Sequence, residues 1–465
     1  MEQNQFYIYK MNGKPLHVNP ERIALYRQAE IIEAVSDNYD IYYLFFYKHD
    51  FLTASKAKKL RRHSFIESAF KLGIVFNAPH PFIEELFSAN NHCRISRFEP
   101  LLKKLDKHYT PQEKAFILTF FESFISKKRL FNEIKSIFYV YRRNGQNMMA
   151  YQIVRILMDF APNQDLVRQL RSDLNFKRYA DMYNNQSDEI MMKDLIFAEK
   201  VLYSETNNDP YFQQLINLLY EQSRWMDIVA LYFGRLIDNP SEEYYDPFIK
   251  LLNRYLKNTQ VMQILEDLHR ELPRFVPLKK DLLKQYIELN KLENILNLFN
   301  NPDFELNASQ AESMKEMLEQ LDLVSQSLSS EQLKSLFKIV IDFHPKKAGD
   351  LIHGYTSALL KTNEPVFLRE LLKPFAERRE IHPVYQKVNR LITFNDDLDQ
   401  MQMLGELYYE FSQSDQAIEC FSWEMELKPE DPTPLKWLSK IYQELGMEQE
   451  SKAYRQLLSS LQKRA

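Results

Sequence analysis

Residues 398–431, LDQMQMLGELYYEFSQSDQAIECFSWEMELKPED, read beside residues 432–465, PTPLKWLSKIYQELGMEQESKAYRQLLSSLQKRA, decide the fold. An offset of 34 places Leu404 over Leu438, Gly405 over Ser439, Tyr408 over Tyr442 and Ala417 over Ser451. Gly446 marks a turn between two helices. A leucine, a small residue and an aromatic on one helix, then a small residue on the next, let antiparallel helices approach closely and leave an apolar side for a neighbour. Phe421 and Pro429 complete the first copy, and Arg455 stands where the second would repeat Phe421. A charge there suits the uncovered face of a terminal repeat.

This period and pattern resemble the tetratricopeptide repeat (TPR). Weaker echoes extend the resemblance toward the N-terminus. Ile137-Phe138, Tyr141, Gly145, Ala150, Val154 and Pro162 keep the spacing, and Leu215-Ile216, Leu219, Ser223, Ile228 and Tyr232 keep it with larger residues. Leu251-Leu252 with Tyr255, then Leu282-Leu283 with Tyr286, continue it irregularly. The resemblance covers 109–465 and is strongest at 131–164 and 398–465. It implies an all-α fold: a right-handed, TPR-like α-solenoid of helical hairpins, with divergent repeats over 109–397 and two regular repeats over 398–465, the last a cap. Thr110-Pro111-Gln112-Glu113 is a capping box with proline at the first helical position, and Ser329 with Gln332 is a second box.

Composition agrees with a helical chain. Eight glycines in 465 residues is about a quarter of the usual ~7% share, which leaves little for turns, bulges and phosphate loops. Cys93 and Cys420 are far apart in sequence, so a disulfide between them is not expected and a reducing compartment is. With no secretory leader pattern and no apolar run of spanning length, the expectation is a cytoplasmic protein. The net charge of −4 conceals an asymmetry: residues 1–145 carry 23 Lys and Arg against 15 Asp and Glu, and the remainder 37 against 49.

The N-terminal region, 1–108, shows no echo of the repeat and reads as a separate mixed domain. Phe6-Tyr7-Ile8-Tyr9 and Leu16-His17-Val18 flank Asn12-Gly13, a hairpin signal in which both turn residues favour positive φ. Asn19-Pro20-Glu21 then reads as the start of a helix to about Val35, and Ser55 to Val75 as another. Lys56, Lys58, Lys59, Arg61 and Arg62 would form a basic patch on that second helix, able to meet phosphates.

Catalytic signatures are missing. Gly349 to Thr356 imitates a phosphate loop but has Tyr355 where the lysine belongs. His80, His92 and Cys93 match no zinc spacing. No catalytic residue, metal ligand or cofactor is therefore expected. The TPR resemblance implies a non-catalytic scaffold or adaptor that holds a peptide or partner helix in a concave groove. The residues it places there are Lys135, Tyr139 and Arg142, then Gln213, Asn217 and Tyr220, then Asn253 and Lys257, followed by Gln402, Glu406, Tyr409, Lys436 and Lys440. Asn217 and Asn253 occupy equivalent places, and their amides both donate and accept, as a peptide backbone requires. An alternative is a peptide-responsive cytoplasmic regulator similar to the Gram-positive TPR sensors, with the basic domain contacting nucleic acid. The Lys-, Asn-, Phe- and Tyr-rich composition suits such bacterial sources.

Overall fold

The computed structural model describes residues 5–56, 59–90, 92–289, 291–299, 308–319, 321, 328–395 and 397–462. The chain forms two compact units, 1–278 and 279–465. In the first, strands β1 (Phe6–Tyr9), β2 (Pro15–Tyr26), β3 (Ala29–Ser36), β4 (Ile41–Tyr47), β5 (Asp50–Lys56) and β6 (Ile74–Asn77) are joined by α1 (Phe65–Leu72). There follow α2 (Pro81–Ala89), α3 (Phe98–His108), α4 (Pro111–Leu118), α5 (Lys127–Arg143), α6 (Asn147–Phe160), α7 (Asp165–Arg171) and α8 (Lys177–Asn184). Then come α9 (Asp188–Lys193), α10 (Leu195–Ser204), α11 (Asp209–Glu221), α12 (Trp225–Asp238), α13 (Glu242–Tyr255) and α14 (Asn258–Glu271).

The expected hairpin is present, with Phe6 opposite Val18 and Tyr9 opposite Pro15. Its turn differs in detail. Only Gly13 takes positive φ, +79°, closing a three-residue loop in which Lys10 N–H donates to Lys14 C=O. This is a type I turn followed by a left-handed glycine, which restores the strand twist at one position instead of two.

Beyond the hairpin the sequence expectation fails. The helix read from Glu21 to Val35 is strand: β2 continues through a bulge between Pro20 and Arg22, and pairs with β3 from Val18↔Ser36 to Tyr26↔Ala29. Antiparallel neighbours β4 and β5 extend the sheet, while β6 shares an edge of β2 with β1. The segment expected as one helix from Ser55 to Val75 holds the end of β5, a turn, α1 and the start of β6. The cause is burial on both faces. Ile31, Tyr43, Phe45 and Tyr47 share a core with α1, α3 and α4, whereas Ile32, Leu44 and Phe46 are buried on the opposite side. There Phe76 of β6 meets Phe82 at 5.4 Å and Phe233 at 4.9 Å. A doubly covered sheet loses the polar alternation that identifies a strand. The expected boundary at 108/109 falls inside this unit, where one cluster of buried residues runs from the sheet to Phe197.

The helical hairpins share one turn. Gly145, Ser223, Ser412 and Gly446 take φ of +70°, +57°, +56° and +75°, at positions equivalent in the repeat. After each, the next N–H donates back to the carbonyl of Tyr141, Leu219, Tyr408 or Tyr442 at 2.8–3.0 Å. This is a Schellman stop, which satisfies carbonyls that a helix end leaves unpaired.

The second unit comprises α15 (Val276–Glu288, whose start belongs to the first), α16 (Leu292–Phe299), α17 (Ala308–Glu319), α18 (Ser330–Phe343), α19 (Ala348–Leu359), α20 (Pro365–Leu372) and α21 (His382–Phe394). It ends with α22 (Met401–Glu410), α23 (Ser414–Leu427), α24 (Pro432–Glu444) and α25 (Glu448–Gln462). The last four are TPR-like hairpins packed as their small residues require. A Cβ on Gly405 would lie 3.0 Å from the Phe421 ring, and Ser451 Oγ donates to Ser439 C=O at 2.9 Å. Phe421 stacks on Trp437 at 5.4 Å, and Arg455 is exposed. Both predicted capping boxes form.

Gly405→Val is expected to destabilise the second unit by about 1–3 kcal/mol through overpacking against Phe421. Gly354→Ala, on an open helical surface, should instead stabilise it by up to about 1 kcal/mol. Urea midpoints followed by tryptophan fluorescence distinguish the two directions.

Candidate functional site

Two features of the first unit concentrate chemistry: a buried charged network and an exposed helical face. The network centres on Arg224, which immediately follows the left-handed Ser223 and is 1% exposed. Its Nη1 donates to Glu199 of α10 at 2.6 Å. Nε and Nη2 donate to the two carboxylate oxygens of Asp227, one turn along α12, at 3.1 and 3.0 Å. Nη2 also donates to the Arg27 carbonyl in the β2–β3 turn. Beside it, His49 Nδ1 lies 3.0 Å from Glu30 of β3, and its Nε2 is 3.8 Å from Asp227.

Burial would lower His49, but the charge and hydrogen bond of Glu30, together with Asp227, hold it above its ordinary value. Burial would raise Glu30, but His49 and Arg224 outweigh it and leave it low. For Asp227 burial dominates over Arg224, and its carboxyl is pushed up to about 6. Glu30, His49 and Asp227 offer ligand atoms within 4.8 Å of one another, a spacing at which a cation could be held. Both oxygens of Asp227 already accept from Arg224, however, so a divalent ion would sit against a fixed guanidinium. A proton on His49 fits this donor set better.

The exposed face is carried by α11 and α13. Asp209 accepts from the Tyr244 hydroxyl at 2.6 Å and Phe212 meets the Tyr244 ring, so the N-terminal ends are adjacent. At the other ends Trp225 stacks on Tyr255 at 4.9 Å, close to Tyr220. The helices therefore run parallel, with α12 antiparallel beside them. Gln213, Asn217, Tyr220, Asn253 and Lys257 are all exposed. Gln213 donates to Asn217 Oδ1 at 3.3 Å, one turn away. The repeat resemblance pointed to these positions; Tyr255 stood in it only within an irregular echo, and Trp225 had no place in it. On α5, Tyr139 and Arg142 are exposed and Lys135 is half-buried, and Lys135 and Tyr139 line a shallow depression. In the second unit Tyr409 donates to Glu444 at 2.9 Å, with Lys440 4.6 Å above its ring. Gln402 donates to Glu406 at 3.2 Å, and Lys436 is exposed.

The basic patch is not helical. Lys56 closes β5 and pairs with Asp40 at 2.6 Å. Lys59, Arg61 and Arg62 lie exposed in the following turn, and Lys58 lies outside the described residues. His80, His92 and Cys93 serve separate local roles. His80 Nδ1 accepts from Phe82 N–H as the cap of α2, and burial drives its pKa down to about 3. His92 packs edge-on to Tyr9, and Cys93 donates to the Asn90 carbonyl. The phosphate-loop imitation is α19, with the Tyr355 hydroxyl donating to the Leu318 carbonyl. Among the described residues no helix is long and apolar enough to cross a membrane.

No family model and no curated protein matches the chain. Among solved structures, the crystal structure of MamA aligns with 44% of this chain and 90% of its own at 15% identity and a TM-score of 0.15. The TPR domain of P58(IPK) aligns over 71% and 92%, at 12% identity and a TM-score of 0.14. The APC/C hetero-tetramer Cut9-Hcn1 aligns over 82% and 74%, at 13% identity and a TM-score of 0.13.

Arg224→Met is expected to cost about 3–5 kcal/mol, because it strands Glu199 and Asp227 without their counter-charge. A urea titration followed by Trp225 fluorescence measures it. Proton linkage gives a second expectation. A histidine with a raised folded pKa contributes stability fully below about pH 6.5, its unfolded value, and loses it as pH rises through the folded value. Glu30 acts in the acid range with the opposite slope, and His80 and the two buried thiols also contribute between pH 6.5 and 9, so the contribution of His49 is read as a difference. The stability advantage of the wild type over His49→Gln, from urea midpoints, should shrink from pH 6.5 to 9.

Proposed function

We propose that this chain is a non-catalytic protein-interaction scaffold whose first unit holds an extended peptide or partner helix across the exposed face of α11 and α13. The observation that carries this reading is the grouping of Tyr220, Trp225 and Tyr255 beside Asn217 and Asn253. Tyr220 and Tyr255 remain 45% and 39% exposed, while Trp225 and Tyr255 stack into a rigid platform. Aromatic anchors of this kind bury large area at low entropic cost and are enriched where partners bind. Asparagine amides on the same pair of parallel helices suit a peptide backbone, because each both donates and accepts. Arg254, over the Tyr255 ring at 5.3 Å, and Lys257 add positive charge at one end and favour an acidic residue there.

The network beneath supports this reading. Arg224 directly precedes Trp225, so the residue that locks α12 to α10 and the sheet also fixes the aromatic platform. A preorganised surface loses less entropy on binding than one that must order.

The test is a fluorescent peptide library measured against the full-length protein, with Trp225 as an intrinsic reporter. A ligand is expected, and Asn217→Ala combined with Asn253→Ala should weaken it about tenfold, the net worth of one or two hydrogen bonds. Tyr255→Ala should weaken it further. The reading fails if no peptide binds below about 100 µM, or if these substitutions leave affinity unchanged.

A further inference from the structure

A third feature of the first unit is lined by none of the residues of the α11–α13 face. A cleft of about 520 Å³ opens between the N-terminus of α1, helices α4 and α6, and the start of α10, with the end of β2 at its base. That volume is the size of a small-molecule site. Its lining combines Phe65, Phe116, Phe160 and Ile196 with a larger number of polar and charged side chains.

The lining carries a cationic excess, four Lys and Arg against three Asp and Glu. Lys127 lies 3.4 Å from Glu122, and Lys200 lies 2.5 Å from Asp159. Asp194 is saturated: it accepts from the Tyr183 hydroxyl at 2.5 Å, from Gln112 at 2.7 Å and from Phe197 N–H at 3.0 Å. Arg27 and Arg155 remain, and among the described residues neither forms an ion pair. The Arg27 guanidinium lies 4.9 Å over the Tyr26 ring, and its Nε is buried without a hydrogen-bond partner. The Arg155 guanidinium lies over the rings of Tyr183 and Phe197, at 5.2 and 5.1 Å.

The Arg27 main chain is held before any ligand arrives. The Arg27 backbone sits at φ +54° in the β2–β3 turn, and its carbonyl accepts from Arg224. Two guanidinium groups without ion-pair partners, in a partly enclosed cleft that also presents phenylalanines, favour an anion over a neutral ligand.

We propose that this cleft binds a small organic anion: an apolar body seated against the phenylalanine walls, with one carboxylate or phosphate group neutralised by Arg27 and Arg155. The phenylalanines supply affinity, and the arginines select for charge.

The experiment is isothermal titration of the full-length protein with 4-phenylbutyrate, phenyl phosphate and the neutral 4-phenylbutanol. One or both anions should bind saturably at a single site, and the alcohol should bind at least about tenfold more weakly, the value of one charge-assisted contact. Arg27→Gln and Arg155→Gln should each weaken the anion by a similar factor. Arg27→Lys, which keeps the charge, should restore part of the loss, and unchanged circular dichroism excludes unfolding as its cause. The carboxylate and phosphate arms identify the preferred head group. The proposal is overturned if neither anion saturates by about 10 mM, if the alcohol binds as tightly as the acid, or if folded glutamine variants bind unchanged.

Discussion

A guanidinium sealed from water admits few arrangements, and Arg224 dictates how the first unit is put together. Removing an ion from water costs several kcal/mol unless its donors are met. Here four of the five N–H groups are met, by Glu199 on one helix, by both oxygens of Asp227 on a second, and by the Arg27 carbonyl beside the sheet. No two of these elements can shift independently without stranding a buried charge. The network is thus more a device for fixing geometry than a source of net stability. It sets the β2–β3 turn, α10 and α12 in one relation, and with them the Trp225 platform and the Arg27 side chain.

That constraint was nearly invisible in the sequence, and the reason is physical. The partners of Arg224 lie 25 and 197 residues away, and only Asp227 is near enough to suggest a pair. Glu30 misled further. In AEIIEAVS, Glu30 and Glu33 sit three apart, as on the wet side of an amphipathic helix, yet both are buried in a strand. Glu33 is held by Arg22 at 2.6 Å and Glu30 by His49 at 3.0 Å. Where a sheet is covered on both faces, its charged residues mark buried pairs and not the solvent side, so periodicity points to the wrong element.

Local signals fared better because they do not depend on what lies across the fold. The Asn12-Gly13 turn, both capping boxes and the 34-residue spacing each describe a few neighbouring residues, and each produced its element. The exposed residues of α11 were legible through the repeat resemblance, which sets Gln213, Asn217 and Tyr220 apart from the buried Leu215, Ile216 and Leu219. The basic cluster was legible as composition but not as shape. Its cations lie in a turn after β5, where Lys56 is already tied to Asp40.

The repeat itself shows how one local geometry serves different ends. In four hairpins the residue after the left-handed turn is Gln146, Arg224, Gln413 or Met447. Its backbone does the same work in each, closing the helix with one hydrogen bond. The side chain is free to differ, and its fate follows its cover. Gln146 and Met447 are exposed, whereas Arg224 and Gln413 are buried. Gln413 satisfies itself locally and reaches the Ser357 carbonyl at 2.7 Å. Arg224 carries a charge, so carbonyls alone could not have sufficed, and two carboxylates and a histidine–glutamate pair gather around it. A position that the repeat leaves unspecified has become, in one copy, the point on which the non-repeating sheet is fastened.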